Sequence, residues 1–313
     1  MIHRLDSEPV PNVTWLLPVK NGMPFLTQTL QSIAAQTYED WEVLAWDNGS
    51  NDGTLEELQG WIPKLLPGKV VWDVPLPLWQ SRQSLVEQAG SELLANIDAD
   101  DLNHPERLER QVEYMGQNPD VAAASCHYNR VAEDGSFLRT EMVPLAFDEI
   151  IDRLLRPSPL CNSSAIMRRS MVLSAGGYQA RQVAEDYDLW LRLARLNRLG
   201  NLDFVGLDYR VRENSAVRSA SAAGVLRDCI AQSAAESGAA LFGISPNMTL
   251  KLFQGRLGMA YPVLVRIARN LGPTPSGLSR IRSLSFLKSC KSLLGPHDLL
   301  SKAAIALLRS ASR

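Results

Sequence analysis

The chain has 313 residues, 45% hydrophobic and 21% charged, with a net charge of −2. That balance fits a folded globular protein and excludes a disordered one. No apolar run approaches the roughly 18 residues of a membrane span, and the N-terminal stretch, with Asp6 and Glu8, lacks the apolar core of a secretory signal.

Residues 1–11 read as a loose leader. Residues 13–19 form a first buried strand, stopped by Lys20-Asn21-Gly22, and Leu26, Leu30, Ile33 and Ala34 then recur at helical spacing. A second apolar strand spans 41–46, continuous enough to be parallel and covered on both faces. The turn 47–53 leads into a helix at 54–58. A strand at 69–72, a helix at 81–89 and a strand at 93–97 follow. This alternation predicts a doubly wound α/β fold with a mainly parallel sheet and flanking helices. Further on, Pro105 starts a helix over 106–115, a strand covers 121–131, and 133–136 is a hairpin turn. A helix is expected over 147–155, a strand over 162–167, a helix over 185–196 and a last strand over 204–211. Beyond Ser215 the pattern becomes helical and rich in Ala and Leu. The expected division is a leader at 1–11, a catalytic unit at 12–215 and a helical, basic region at 216–313.

Two strands end in carboxylates: Asp47, and the trio Asp98, Asp100 and Asp101. In open α/β sheets ligands bind outside the carboxyl ends of strands. Acids at such a tip suit a hard cation, which Mg²⁺ typically takes through one or two carboxylates plus substrate phosphates. Asp101 alone also reads as a helix N-cap, Asp47 as an Asx-turn, and Arg82 as either a phosphate partner or a surface residue. A third cluster, Glu185-Asp186-Tyr187-Asp188, opens a helix. Acids favour a helix's first turn, and one there can also serve as a general base. Cys126, Cys161, Cys229 and Cys290 have no metal-ligand spacing and read as free thiols of a reducing compartment. His3, His104, His127 and His297 form no cluster.

In this order the blocks resemble glycosyltransferase family 2 with the GT-A fold, over roughly residues 12–215. Pro18-Val19-Lys20-Asn21-Gly22 resembles the family's Pro-Val-x-Asn. The run from Ser32 to Glu42 resembles its helix-to-strand connection. Asp47 to Thr54 resembles Asp-Asp-Gly-Ser-x-Asp-Gly-Thr, Asp98 to Asp101 resembles Asp-x-Asp-Asp, and Glu185-Asp186 resembles the late Glu-Asp motif. The resemblance implies an inverting, metal-dependent transfer of a sugar, hexosyl in type, from a nucleoside-diphosphate donor to a saccharide or lipid-linked acceptor in cell-surface polysaccharide synthesis. It implies Pro18, Asn21, Asp47, Arg82 and Asp98 at the donor, with Asp47 on the base and Asp98 on the ribose. Asp100 would hold Mn²⁺ or Mg²⁺, Asp186 would be the base, and Glu185 would place the acceptor. The sequence departs from the pattern at Asn48, at Gln83, and at Arg212, which stands where relatives carry a His and implies a diphosphate contact.

A phosphatase-like hydrolase also ends a strand in Asp-x-Asp, but on its first strand. A non-catalytic sugar-nucleotide-binding or scaffold protein on the same fold remains the alternative. From residue 251 onward eleven Lys and Arg face one acid, Asp298. Over 298–309 an amphipathic helix is expected, with Leu299, Leu300, Leu307 and Leu308 opposite Lys302 and Arg309. It either packs on the catalytic unit or lies on an anionic membrane surface, placing a cytoplasmic protein at the inner face of the membrane. A nucleic-acid partner is not expected, because the tail lacks interleaved aromatics.

Overall fold

The computed structural model describes residues 11–72, 74–154, 158–212, 224–242 and 246–253. Four parallel strands build the first half of one sheet: β1 (Val13–Val19), β2 (Trp41–Asp47), β3 (Gly68–Val71) and β4 (Leu93–Asn96). They run in the order β3-β2-β1-β4, with Val19 level with Asp47. Alternation sorts their side chains. Val13, Trp15, Leu17, Val43 and Ala45 face one core, and Leu16, Leu44, Trp46 and Leu94 face the other.

The first core is covered by α1 (Leu26–Ala34), α2 (Thr54–Trp61) and α4 (Arg107–Gln117), through Leu30, Leu58, Leu108 and Met115. The second is covered by α3 (Leu78–Gln88), α5 (Phe147–Arg153), α6 (Arg169–Ser174) and α7 (Glu185–Leu196). There Leu85, Ile150, Val172 and Trp190 are buried. Gly68 shows why β3 starts on a glycine: its φ is +139°, and an added Cβ would lie 2.0 Å from the Val43 carbonyl oxygen.

Past β4 the sheet becomes mixed. It continues through β8 (Ile166–Arg168), β6 (Val121–Val131), β9 (Arg198–Arg210) and β5 (Leu102–Asn103), while β7 (Phe137–Glu141) pairs with β6. β8 is antiparallel to both β4 and β6, whereas β6 and β9 run parallel. The sheet is therefore parallel in its first half and mixed in its second. The strand expected over 162–167 is instead a 3₁₀ turn at Asn162–Ser164 followed by β8. The last strand starts earlier than expected, because β9 follows β6 through three register shifts.

After β9, α8 (Val225–Phe242) packs on α7, with Ile230 against the second core, and α9 (Pro246–Phe253) packs on α8. Arg181 ties these helices together, donating to Asp188 on α7 (2.9 Å) and Ser233 on α8 (3.0 Å). No helix among the described residues is long and apolar enough to cross a membrane. The leader (except Pro11), the amphipathic helix expected at 298–309, and Cys290 lie outside the described residues.

Candidate active site at the strand ends

The ends of β1 and β2 are stitched into one rim. Asn21, at φ 54°, receives the Asn51 N–H on Oδ1 (3.0 Å), and its own N–H donates to Ser50 Oγ (2.8 Å). The Gly22 N–H donates to Thr54 Oγ1 and the Met23 N–H to Asp52. Pro18 is buried within β1 and has no N–H to lose. Leu16, two residues earlier, accepts from Ile97 on the β4 side, so Pro18 turns its nitrogen to that side beyond the end of β4. Asp47 is 3% exposed. Its Oδ2 accepts the Ser50 N–H (3.2 Å), the local turn contact, while Oδ1 has no partner among the described residues. A buried carboxylate oxygen without a donor is costly, and a ligand N–H or O–H would satisfy it.

Asn48, a departure from the family pattern, has its own logic. Its Nδ2 donates to Ser81 Oγ, whose proton goes to the Leu78 carbonyl, and its Oδ1 accepts the Leu76 N–H. An aspartate would lose the donated bond.

Arg82 is the joint of the site. It is 4% exposed on α3, so the surface reading is wrong: the face it shares with Leu85 and Val86 is turned inward. It donates to Asp98 Oδ1 at 2.8 Å and Glu185 Oε1 at 3.1 Å. Burial alone would lower its pKa, but Asp98 and Glu185 outweigh it and hold the guanidinium charged. One buried cation thus joins a strand-end acid to a helix-start acid 87 positions away.

The α7 start is set by Ala184, a non-glycine residue in the left-handed region at φ 60°, and by Tyr187, whose buried hydroxyl donates to the Leu154 carbonyl. Glu185 is buried against Arg82. Asp186 is half-buried, with one oxygen on the Tyr187 N–H (2.8 Å). Burial and the neighbouring Glu185 carboxylate push the Asp186 carboxyl up to about 7, against the pull of Tyr187 N–H and Arg82. That is the range in which a carboxylate both exists at neutral pH and accepts a proton well.

Asp101 is not a helix N-cap. It is 1% exposed, its Oδ1 accepts the Arg210 N–H (2.8 Å), and α4 is preceded by Glu106 with no side-chain cap. Burial and the adjacent Asp100 and Asp98 raise its pKa, and the bond from the Arg210 N–H ties the turn to β9. Asp100 is raised for the same first reason, burial, then by Asp98, and Arg212 opposes both. Arg212 Nη1 lies 3.2 Å from Asp100 Oδ2.

Among the described residues no three His, Cys, Asp or Glu side chains converge as a metal cage. The donor set still fits a cation that takes most of its ligands from phosphate and water. Asp100 would hold it, beside Asp98, and a cation would relieve the crowding of these part-buried carboxylates. His104 and His127 pair with Asp208 and Asp203 on β9.

Sequence reasoning missed Arg107. It is fully buried, stacks on Trp15 at 5.1 Å and donates to the carbonyls of Asn96 (2.9 Å) and Ser163 (3.0 Å) and to the Asn103 side chain. It fixes the end of β4 just before Asp98, and burial pulls its pKa down to about 10. Arg107 and Gln111, four apart on the buried face of α4 beside Leu108 and Met115, were the signal. Ser163, missed too, accepts the Asp98 N–H on Oγ (3.0 Å).

The family model described as Glycosyl transferase family 2 matches residues 14–176, which contain Asp47, Arg82, Asp98 and Asp100 but end before Glu185. The amylovoran biosynthesis glycosyltransferase AmsE of Erwinia amylovora is 30% identical over 172 residues, 55% of this chain and 64% of AmsE. The chain thus spans slightly under two thirds of that relative. Two solved structures share the fold. S. aureus TarS 1–349 in complex with UDP-GlcNAc aligns with a TM-score of 0.60 at 17% identity, covering 90% of this chain and 82% of that one. The mannosyltransferase PcManGT from Pyrobaculum calidifontis, in complex with GDP-Man and Mn²⁺, aligns with 0.57 at 17%, covering 97% and 80%.

Proposed function

The chain belongs to glycosyl transferase family 2, and from that premise we propose that it is an inverting enzyme. It would move a sugar from a nucleoside-diphosphate donor to a hydroxyl of a saccharide or lipid-linked acceptor in cell-surface polysaccharide assembly. The observation that carries this is Arg82, which holds Asp98 and Glu185 on one buried guanidinium with Asp186 beside them.

In this reading the unpartnered Asp47 oxygen accepts from the donor base, and Asp98 meets the ribose. Pro18 and Asn21 shape the rim beneath them. A divalent cation, Mn²⁺ or Mg²⁺, held by Asp100, would neutralise charge developing on the leaving diphosphate. The acceptor hydroxyl, placed by Glu185, gives its proton to Asp186 as its oxygen attacks the anomeric carbon and the nucleoside diphosphate leaves from the opposite face. No covalent intermediate forms, so one carboxylate base is enough. Residues 12–215 would form the catalytic unit, with α8 and α9 following it; the rest of the expected helical region, from 254 on, lies outside the described residues. The eleven basic residues of the tail support contact with an anionic membrane surface at the cytoplasmic face, where a lipid-linked acceptor would lie.

The test is release of nucleoside diphosphate from a panel of UDP-, GDP- and dTDP-sugars in the presence of Mn²⁺. One donor class is expected to turn over, with transfer lost and donor binding retained in Asp186→Asn. Binding without turnover of any donor would support the non-catalytic alternative instead.

A further inference from the structure

Three arginines grip the Asp98–Asp101 segment, and their grips are unequal. Arg82 is buried and bridges two carboxylates. Arg210, 5% exposed, gives its guanidinium to the carbonyls of Asp100 (2.9 Å) and Glu133 (2.6 Å) and to Gln28 (2.9 Å). Arg212 lies just past β9 and makes one ion pair among the described residues, to Asp100 at 3.2 Å, with the two side chains 29% and 25% exposed. Its guanidinium also lies over the Phe25 ring, 5.2 Å from the centroid.

The first two contacts build the turn, because they hold backbone or buried charge. The third sits on a carboxylate oxygen at the rim, and a single part-exposed pair of this kind contributes little to the fold. Arginine cannot ligate a cation, and Arg212 occupies Asp100 Oδ2, so a divalent ion that takes that oxygen must displace it. The Phe25 ring, which Arg210 also overlies at 4.6 Å, gives the guanidinium a contact that does not depend on Asp100.

Resting on the reading of Asp100 as the acid beside the donor diphosphate, we propose that Arg212 is a displaceable counter-charge. It competes with the divalent cation for Asp100, and the cation that takes Asp100 releases Arg212 onto the donor diphosphate. Cation and nucleoside diphosphate then bind with positive coupling, and the cation alone binds weakly. Arg212 is on this account a specificity device: it keeps the carboxylate neutralised until a ligand arrives that brings its own negative charge.

The experiment is Mn²⁺ binding by the full chain, followed by the EPR signal of free Mn²⁺, with and without UDP or GDP. Wild type is expected to bind Mn²⁺ alone weakly and at least about ten-fold tighter with its nucleotide. Arg212→Gln should bind Mn²⁺ alone about five-fold tighter than wild type and lose most of that coupling. Arg212→Lys keeps the charge and should keep the wild-type pattern. Equal or weaker Mn²⁺ binding by a folded Arg212→Gln overturns the proposal. So does identical behaviour of the Gln and Lys variants, or a gain that survives in Arg212→Gln/Asp100→Asn. Failure of the donor-site reading itself would appear elsewhere, as undiminished sugar transfer by Asp100→Asn.

Discussion

Asp98 and Asp100 stand two residues apart at the end of β4, and each is paired with an arginine. On the Asp98 side the partner is buried in the helix layer and reaches across to Glu185 on α7. On the Asp100 side the partner lies at the rim and touches one carboxylate oxygen. The inner pair joins the parallel half of the sheet to α7, so it is part of the fold and of the site together. The outer pair lies where a ligand arrives. Two contacts of the same chemical type thus have opposite tolerance to change, and burial decides which is which.

Breaking the inner pair is expected to have the largest effect. Arg82→Met leaves Glu185 buried without a counter-charge and frees Asp98, and removal of one member of a buried pair costs about 3–5 kcal/mol. Chemical denaturation should show that loss, with sugar transfer undetectable. Arg82→Lys should recover little, since a point charge cannot reach both carboxylates as a guanidinium does. A variant as stable as wild type would place the joint elsewhere.

Asp186→Asn comes next, and it separates function from fold. Transfer should fall about 10²–10⁴-fold, the usual contribution of a general base, while nucleotide binding survives. Wild-type kcat should rise as pH passes through about 7, the value to which burial and Glu185 push this carboxyl. Stability should move the other way. The folded-state pKa lies above the ordinary 3.8, so the charged form is disfavoured in the native state. Asp186 therefore costs nothing below pH 4, and its cost grows until pH reaches about 7. The Asn variant should melt higher than wild type at pH 8 and equally at pH 4. A flat pH–rate profile with unchanged melting would remove Asp186 from the role of base.

The sequence made the parallel half legible because its strands are apolar runs that stop in acids: Asp47, Asp98 and the onset of α7 could all be placed before any coordinates. The mixed half was harder to read. β8 is three residues long and β5 two, too short for periodicity to register. β9 keeps Gly200, Asn201 and Asp203 inside a strand because β6 pairs with it through bulges, a tertiary effect that propensity does not carry. The burial of Arg82, which the sequence did name as a donor-site candidate, escaped for a related reason, and so did Arg107. Arginine is usually exposed, and only contacts far along the chain, Glu185 for the one and Ser163 for the other, show that these two are buried and paired.

The αL residue before α7 gives a smaller effect. Ala184 carries a side chain at φ 60°, a conformation that costs L-residues about 1–2 kcal/mol. Ala184→Gly should keep the geometry and stabilise by up to about 1 kcal/mol, because glycine's extra unfolded-state entropy offsets part of the relief. Ala184→Val should destabilise and lower kcat together, since a β-branched residue resists αL and would re-aim Glu185 and Asp186. Loss of activity in the glycine variant would mean that rigidity at this hinge, and not its angle alone, positions the base.

The smallest effect is expected at the outer pair, and it completes the contrast with Arg82. Arg212→Gln removes one ion pair whose members are both about a quarter exposed, and such a pair contributes at most about 1 kcal/mol. Asp100 then loses an interaction that favours its charged form, while burial and Asp98 still oppose that form, so its pKa should rise further. The Asp100 side chain is about a quarter exposed, so losing Arg212 does not leave a fully buried unpaired charge. The urea midpoint at neutral pH should therefore shift little, several-fold less than for Arg82→Met. A loss as large as that of Arg82→Met would make the outer pair part of the fold, and would argue that Arg212 cannot leave Asp100 when a cation arrives.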